Sequence, residues 1–196
     1  MDYKTKTKLI LPFKGILMVS NGGRTPETNN HNRPVEKGPQ NQLYAYDFRT
    51  ETSGEEKSLE DYGVFGMEVI APGNGQIIQV IDGSIDCEPG EFDRNVGVGN
   101  AVMIDHKNGE YSFLCHLKHN SICVKVGEKV KQGDKVGLCG NTGNTSQPHI
   151  HYHLQDAPLL HKSGPLLALF TEISVNGEIK KNYEPVRFDI VSNVKK

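Results

Sequence analysis

The stretch PHIHYHL, residues 148–154, alternates histidine with apolar or aromatic residues. Such alternation is typical of a β-strand, because successive side chains point to opposite faces of the sheet. His149, His151 and His153 would then share one face, at intervals of roughly 6.6 Å along the strand. At that spacing one imidazole can bind a metal ion while its neighbour exchanges protons with water. A surface strand with incidental histidines would show the same pattern, so the choice between a metal site and a surface strand depends on the rest of the chain.

Short apolar runs bounded by turn residues recur along the chain and predict many further strands. One hairpin is expected from residues 100–105 and 110–116, which flank the turn Lys107-Asn108-Gly109. A second is expected around Asn176-Gly177. The 21 glycines and 10 prolines indicate a turn-rich chain, and no long amphipathic helical pattern is present. We therefore predict an all-β domain with little helix.

The bulk properties argue against several classes of protein. A length of 196 residues suits one domain with a full-sized core. A formal net charge of −2 offers no electrostatic attraction for nucleic acid, so we expect no nucleic-acid partner. Because the chain lacks a run of about 18 apolar residues, no transmembrane segment is predicted. Lysines interrupt the apolar residues near the start, so no signal peptide is expected in this sequence. Either the protein is not exported by that route, or a leader is missing from this chain.

The four cysteines do not have the spacing of a zinc ribbon. Cys87, Cys115, Cys123 and Cys139 include no Cys-x-x-Cys pair. We expect four reduced thiols, mostly buried as small apolar side chains. Because Cys115 directly precedes His116 on a predicted strand, it is expected to face the opposite side of the sheet.

Side chains elsewhere in the chain could complete a metal site with the histidine stretch. A catalytic zinc site has three protein ligands and leaves one position for water. The candidates are His31 on a long loop, Asp47 at the end of a predicted strand, and one histidine of the stretch. Two imidazoles and a carboxylate form a hydrolytic ligand set. His116 ends an apolar strand and could share proton transfer. The residues alone leave open whether His149 or His151 is the ligand.

Several motifs occur in the order typical of one family. They are His31…Asp47, GNAVMIDH at 99–106, CHL at 115–117, the glycine-paced run from 127 to 143, and PHIH at 148–151. In this order they resemble the lysostaphin-type (LytM-like) zinc endopeptidases over roughly residues 31–156. The resemblance implies an antiparallel β-sheet sandwich with a substrate groove above the sheet. Fifteen residues separate His31 from Asp47, where the common family spacing is a compact His-x-x-x-Asp.

The resemblance also assigns roles to the candidate residues. His31, Asp47 and His151 would bind one Zn²⁺, and His116 and His149 would be the catalytic residues beside it. One of these two histidines would exchange protons with the attacking water and the leaving amine, and the other would stabilise the oxyanion. The family cleaves peptide bonds in peptidoglycan stems or cross-bridges, often beside glycine or D-alanine, and usually works outside the cytoplasm. The resemblance thus implies a zinc metalloendopeptidase with a peptidoglycan or glycine-rich peptide substrate and an extracytoplasmic or cell-wall location.

The chain is expected to divide into three parts. These are an N-terminal arm with one strand at 1–30, a peptidase core at 31–160, and a C-terminal β extension of the same domain at 161–196. Three long polar loops are expected to wall the groove; they are His31–Asp47, Arg49–Met67 and Asp82–Gly99. His153 lies where the family often has a polar residue, and we expect it to be solvated rather than a partner of the metal ligands.

Two other classes of protein compete with the peptidase. One is a non-catalytic member of the same fold that binds peptidoglycan or a protein partner. Such members normally lose ligands, whereas all three ligand positions and both auxiliary histidines are filled here. The other is a sugar-transport phosphocarrier of the IIA type, which has two active-site histidines but needs neither Asp47 nor the Pro-His-x-His motif. Metal binding would separate the peptidase from the phosphocarrier, and peptide hydrolysis would separate it from the binding protein. No oligomeric state is predicted.

Overall fold

The computed structural model describes residues 3–33, 42–159 and 162–194. Within these ranges the chain forms thirteen β-strands and two three-residue 3₁₀ helices, Asn30–Asn32 and Leu59–Asp61. The strands are β1 (Ile16–Asn21), β2 (Tyr46–Arg49), β3 (Glu68–Ile70), β4 (Gly75–Ile81), β5 (Asn100–Asp105), β6 (Tyr111–Leu117), β7 (Lys129–Val130), β8 (Lys135–Leu138), β9 (Ile150–Gln155), β10 (Pro165–Leu166), β11 (Phe170–Val175), β12 (Glu178–Tyr183) and β13 (Ile190–Asn193). The predicted all-β class is therefore confirmed.

One large sheet carries most of the strands. Its hydrogen-bonded order is β12-β11-β13-β1-β2-β9-β6-β5-β4-β7, with β10 pairing with the end of β9, and all of these pairings are antiparallel. β3 and β8 form a separate two-stranded sheet. The two expected hairpins are confirmed as β5–β6 and β11–β12. β9, which contains most of the histidine stretch, lies between β2 and β6, so partner strands hold both of its edges.

The two faces of β9 have different surroundings. Ile150 and Tyr152 pack into the main hydrophobic core, to which the small β3–β8 sheet also contributes. His151 and His153 alternate with them and point to the opposite face, where the rings of His153 and Phe113 are 5.3 Å apart. Burying an apolar side chain of this size stabilises the fold by about 1.5–3 kcal/mol, so the core fixes which way the strand faces. The predicted shared face is confirmed for His151 and His153, whereas His149 lies before the first residue of β9.

Segments near both ends of the chain join the large sheet. β1 pairs with β2 on one side and with β13 on the other. The residues before β1 are held by the buried carboxylate of Glu110, which accepts hydrogen bonds from the N–H groups of Lys6 and Thr7 at 2.6 and 2.7 Å. The predicted boundary between residues 160 and 161 lies outside the described residues, and the three-part division stays a prediction.

The cysteines are less buried as a group than expected. All four thiols are free; Cys115 and Cys139 are buried, Cys87 is half-buried and Cys123 is exposed. Neither of the described helices is long or apolar enough to cross a membrane.

Candidate metal centre

Asp47 lies at the centre of the site, where two strands position it. On β2 it is the register partner of His151 on β9, so the two side chains share one face of the sheet. Asp47 Oδ1 is 2.9 Å from His151 Nδ1, and Asp47 Oδ2 is 3.0 Å from His31 Nε2. The candidate ligand atoms of these three residues all lie within 4.8 Å of one another. Two imidazoles and a carboxylate in this arrangement could hold a zinc ion.

Two asparagines position the ligands. Asn29 is buried, donates to the Ala45 carbonyl at 2.9 Å and accepts from the backbone N–H of His31 at 3.1 Å. It therefore caps the short helix that carries His31 and ties this helix to the start of β2. Asn21 Nδ2 donates to Asp47 Oδ2 at 2.6 Å. Sequence reasoning missed both asparagines, because their roles depend on contacts between separate segments.

His116 and His149 approach the same centre from neighbouring segments. His116 Nδ1 is 2.7 Å from the Thr142 carbonyl, and His149 Nδ1 is 3.0 Å from the Gln147 carbonyl. A carbonyl can only accept a hydrogen bond, so each Nδ1 carries the proton and each neutral ring keeps a bare Nε2. The two ring centroids are 5.0 Å apart, and the candidate ligand atoms of these histidines and His151 lie within 4.8 Å of one another. Two proton-accepting nitrogens therefore lie beside the candidate ligands.

Cys115 also borders the site, so the expectation that it faces the opposite side of the sheet is wrong. It is the register partner of His151 and lines the same cleft. Strict alternation fails because His116 has a left-handed φ of 58° and because the β5–β6 register shifts between Asn100 and Val102. An irregularity of this kind re-aims side chains, so successive residues can border one face. The expected burial of Cys115 is confirmed at 2% exposure.

A hydrogen-bonded chain runs from His151 away from Asp47. His151 Nε2 is 3.1 Å from His153 Nδ1, His153 Nε2 is 3.0 Å from Gln155 Oε1, and Gln155 Nε2 is 2.6 Å from the Ala157 carbonyl. The Ala157 carbonyl can only accept a hydrogen bond, so Gln155 Nε2 donates to it and Gln155 Oε1 accepts from His153 Nε2–H. Neutral His153 then has a bare Nδ1, which accepts from His151 Nε2–H. Every donor in the chain therefore points away from Asp47. The Nδ1 atom of neutral His151 is then bare and faces a carboxylate oxygen. A metal ion between the two atoms would be bound by both, so the donor set fits a metal ion.

His153 is thus a buried partner of His151, and the expectation of a solvated side chain is wrong. Its exposure is 1%. Burial, with a further contribution from the charge of His151, lowers the pKa of His153 to about 3. Metal-binding histidines commonly donate their second N–H to a partner of this kind, which fixes the tautomer and the orientation of the ring.

The histidines and Asp47 shift one another's protonation. Burial by itself raises the pKa of Asp47, but the charges of His31 and His149 hold that pKa well below its ordinary value. Burial, together with the charges of His149 and His151, holds the pKa of His116 well below its ordinary value. Burial also lowers the pKa of His149, but the charge and hydrogen bond of Asp47 more than offset it, so that pKa is raised. At neutral pH Asp47 is therefore ionised and His116 is neutral.

These side chains border a cleft of about 670 Å³. The Asp82–Gly99 loop lines one part of it, as expected. The His31–Asp47 loop lines another part, although its residues 34–41 lie outside the described part of the chain. The expectation for the Arg49–Met67 loop is wrong, because only Arg49 of that segment lines the cleft.

Ser20, Asn21 and Asn30 line the cleft although they were not predicted, and two further unpredicted parts come from later in the chain. One is the turn at residues 144–147, which lies immediately before PHIH and belongs to a segment rich in turn residues. The other is Arg187, from the connection between β12 and β13. Nothing in the local sequence around Arg187 indicates a place in the cleft, since only the pairing of β13 with β1 brings it there.

A comparison with protein-family models matches the part of the chain that contains three histidines of the site. The model of Peptidase family M23 matches residues 61–162, which are 102 of the 196 residues. The chain belongs to Peptidase family M23. This match confirms the resemblance inferred from the motifs. It contains the three later histidines of the site, whereas His31 and Asp47 lie before its first residue.

The chain is 31% identical over 118 residues to the peptidoglycan DD-endopeptidase ShyC of Vibrio cholerae. That match covers 60% of this chain and 26% of ShyC. The chain is 46% identical over 56 residues to the peptidoglycan DD-endopeptidase ShyA of the same organism, covering 29% of this chain and 13% of ShyA. The matched part therefore spans about a quarter or less of these relatives.

Solved structures show the same fold. A chain in the structure of the SpoIIQ-SpoIIIAH pore forming complex matches with a TM-score of 0.50 and 15% identity, covering 82% of this chain and 94% of that chain. At this identity the likeness is one of fold alone.

Proposed function

We propose that this M23 chain is a zinc-dependent endopeptidase that hydrolyses peptide bonds of peptidoglycan. One observation carries the proposal: side chains from separate segments converge on one cleft with compatible donor atoms. They are His31, Asp47, His116, His149 and His151. Membership of a peptidase family supports the hydrolytic activity. The relatives ShyA and ShyC are peptidoglycan DD-endopeptidases by name, which supports peptidoglycan as the substrate.

In this proposal His31, Asp47 and His151 hold one zinc ion. His151 is favoured over His149 because its Nδ1 lies 2.9 Å from Asp47 Oδ1, whereas His149 Nε2 lies 3.5 Å away. His151 also belongs to both groups of potential ligands. The hydrogen bond to His153 leaves its Nδ1 bare, as a metal ligand requires. Bound zinc would polarise the scissile carbonyl and activate water as the nucleophile.

His116 and His149 supply the proton transfers. Each donates Nδ1–H to a backbone carbonyl, which holds its ring in place and directs the free Nε2 at the reaction. Each Nε2 can accept a proton from the attacking water and, once protonated, can donate it to the leaving amine or to the oxyanion. Asp47 lies close enough to His149 to stabilise its protonated form.

The test begins with the zinc content of untagged protein, measured by elemental analysis. We expect about one zinc per chain, because both groups of potential ligands among the described residues share His151. Zinc-loaded protein is then incubated with peptidoglycan peptides that contain D-alanine or glycine, and the fragments are identified by mass spectrometry. We expect hydrolysis by the wild type and none by His149→Ala that still holds zinc. Zinc binding without hydrolysis of any peptide would favour the non-catalytic binding protein, and failure to bind zinc would overturn the proposal.

A further inference from the structure

Arg49 lies on the same face of the sheet as the candidate metal ligand Asp47. The two residues are separated on β2 by Phe48, whose ring is buried in the core. Alternation therefore places the Arg49 and Asp47 side chains on one face, roughly 6.6 Å apart along the strand. Phe48 is the register partner of Ile150, so Arg49 comes beside the residue before it, His149. Arg49 and His149 line the same cleft.

The guanidinium of Arg49 has no partner of its own among the described residues. Its Nε is shielded from solvent and makes no hydrogen bond, and none of the ion pairs there includes Arg49. The carboxylate on its own face, Asp47, is already engaged by His31, His151 and Asn21. Leaving a buried donor unsatisfied is unfavourable for folding. The fold therefore gains little from this arginine, which points to a role with a ligand.

The rest of the cleft reinforces the positive charge. Apart from histidines, the charged side chains in its described lining are Asp47, Arg49 and Arg187. Arg187 donates one Nη1 hydrogen bond to the Glu27 carbonyl at 3.2 Å, while its Nε is buried without a partner. The Asp47 carboxylate is already in contact with histidines. Of these three charged side chains, the two guanidinium groups are therefore the ones available to a ligand in the cleft.

We infer that Arg49 binds a free carboxylate of the substrate close to the scissile bond. The cleft would therefore select a carboxylate-bearing stem peptide over a neutral glycine cross-bridge. The planar guanidinium matches a carboxylate with two parallel hydrogen bonds, whereas a polyglycine segment offers only backbone amides. Asp47 and Arg49 are separated along β2 by about the length of two residues of an extended peptide. If the scissile bond lies at the metal held by Asp47, the substrate carboxylate bound by Arg49 lies within about two residues of that bond. This inference rests on the proposed peptidase function and narrows its substrate.

The experiment compares three synthetic peptides: a D-alanine-containing stem peptide with free carboxylates, the same peptide with its carboxylates amidated, and pentaglycine that is acetylated at its N-terminus and amidated at its C-terminus. The proteins are the zinc-loaded wild type, Arg49→Gln and Lys14→Gln. Lys14→Gln removes an equal charge from an exposed side chain paired with Glu68, so it controls for net charge. We expect the wild type to prefer the free acid by roughly 10- to 100-fold in kcat/KM. Arg49→Gln should lose most of that preference, and Lys14→Gln should retain it.

Arg49→Gln should keep the zinc content and the Tm of the wild type, because no hydrogen bond within the described residues is removed. Equal cleavage of the acid and the amide by the wild type would overturn the inference while leaving the peptidase function intact. An unchanged preference in Arg49→Gln would do the same. If no peptide is cleaved, the peptidase function fails, and calorimetric binding of the same peptides decides the inference. Tighter binding of the acid by the wild type than by Arg49→Gln would support it, and equal affinities would overturn it.

Discussion

Replacing His153 with leucine should weaken zinc binding in addition to any effect on the stability of the metal-free protein. In the wild type His151 Nε2–H donates to His153 Nδ1 at 3.1 Å, which leaves His151 Nδ1 bare beside Asp47. Leucine fills similar space against Phe113 but offers no acceptor. The buried N–H of metal-binding His151 would then have no partner.

The structure sets the size of the effect. Leaving a buried N–H unsatisfied costs about 1–3 kcal/mol, which corresponds to a loss of roughly 5- to 150-fold in zinc affinity. The metal-free variant avoids this cost, because neutral His151 can move its proton to Nδ1 and donate it to Asp47 Oδ1, 2.9 Å away. This cost therefore falls on the metal-bound form and lowers zinc affinity. Gln155 Oε1, which loses the N–H of His153, is left without that donor in both forms and affects the stability of the fold instead.

Zinc affinity is measured by competition with a chromophoric chelator, and the stability of the metal-free protein by thermal unfolding. Nitrogen-15 NMR of the imidazoles reports the tautomer of His151 directly. His153→Gln is the matched control, because its side-chain carbonyl can still accept the hydrogen bond. The reasoning is refuted if folded His153→Leu binds zinc as tightly as the wild type, or if His151 of the metal-free variant keeps its proton on Nε2.

Three further predictions concern other parts of the molecule. Asp47→Asn should abolish tight zinc binding, because it removes the only carboxylate of the ligand set; an unchanged zinc titration would contradict the assignment. Burial raises the pKa of Glu110, but its hydrogen bonds with the N-terminal arm outweigh this and lower the pKa below 4.5. Its stabilisation is therefore complete above the unfolded-state value of about 4.5 and is lost as pH falls through the lower folded value. Glu110→Gln should lose about 1–3 kcal/mol of unfolding free energy at neutral pH. Its unfolding free energy, measured with urea, should also decrease less than that of the wild type as the pH is lowered. An unchanged decrease at acid pH would exclude Glu110 as its source. Gly99→Ala should be destabilising by at least about 2 kcal/mol, since its φ is +61° and a Cβ would lie 2.2 Å from the Thr142 carbonyl oxygen. Gly83→Ala, with positive φ but open space, should cost only about 1 kcal/mol in the same measurement, and equal losses would exclude the clash.

Much of the site could be predicted because alternation along a strand is a local property. The stretch at 148–154 predicts a strand with histidines on one face, and the apolar residues between them pack into the core as that pattern requires. The hairpins at Lys107-Asn108-Gly109 and Asn176-Gly177 follow from turn residues between apolar runs. The assignment of ligands and catalytic histidines rests on motif order, and it stays a proposal.

Alternation and turn chemistry by themselves therefore determined the all-β class and the shared face of His151 and His153. Only the tertiary structure decided what covers that face. His153 is buried because Phe113 of the adjacent β6 strand packs against it, and Cys115 borders the cleft because His116 breaks the alternation. Arg187 reaches the cleft because β13 pairs with β1. The physical reason is that burial depends on which distant segments pair, and local backbone preferences do not encode that order.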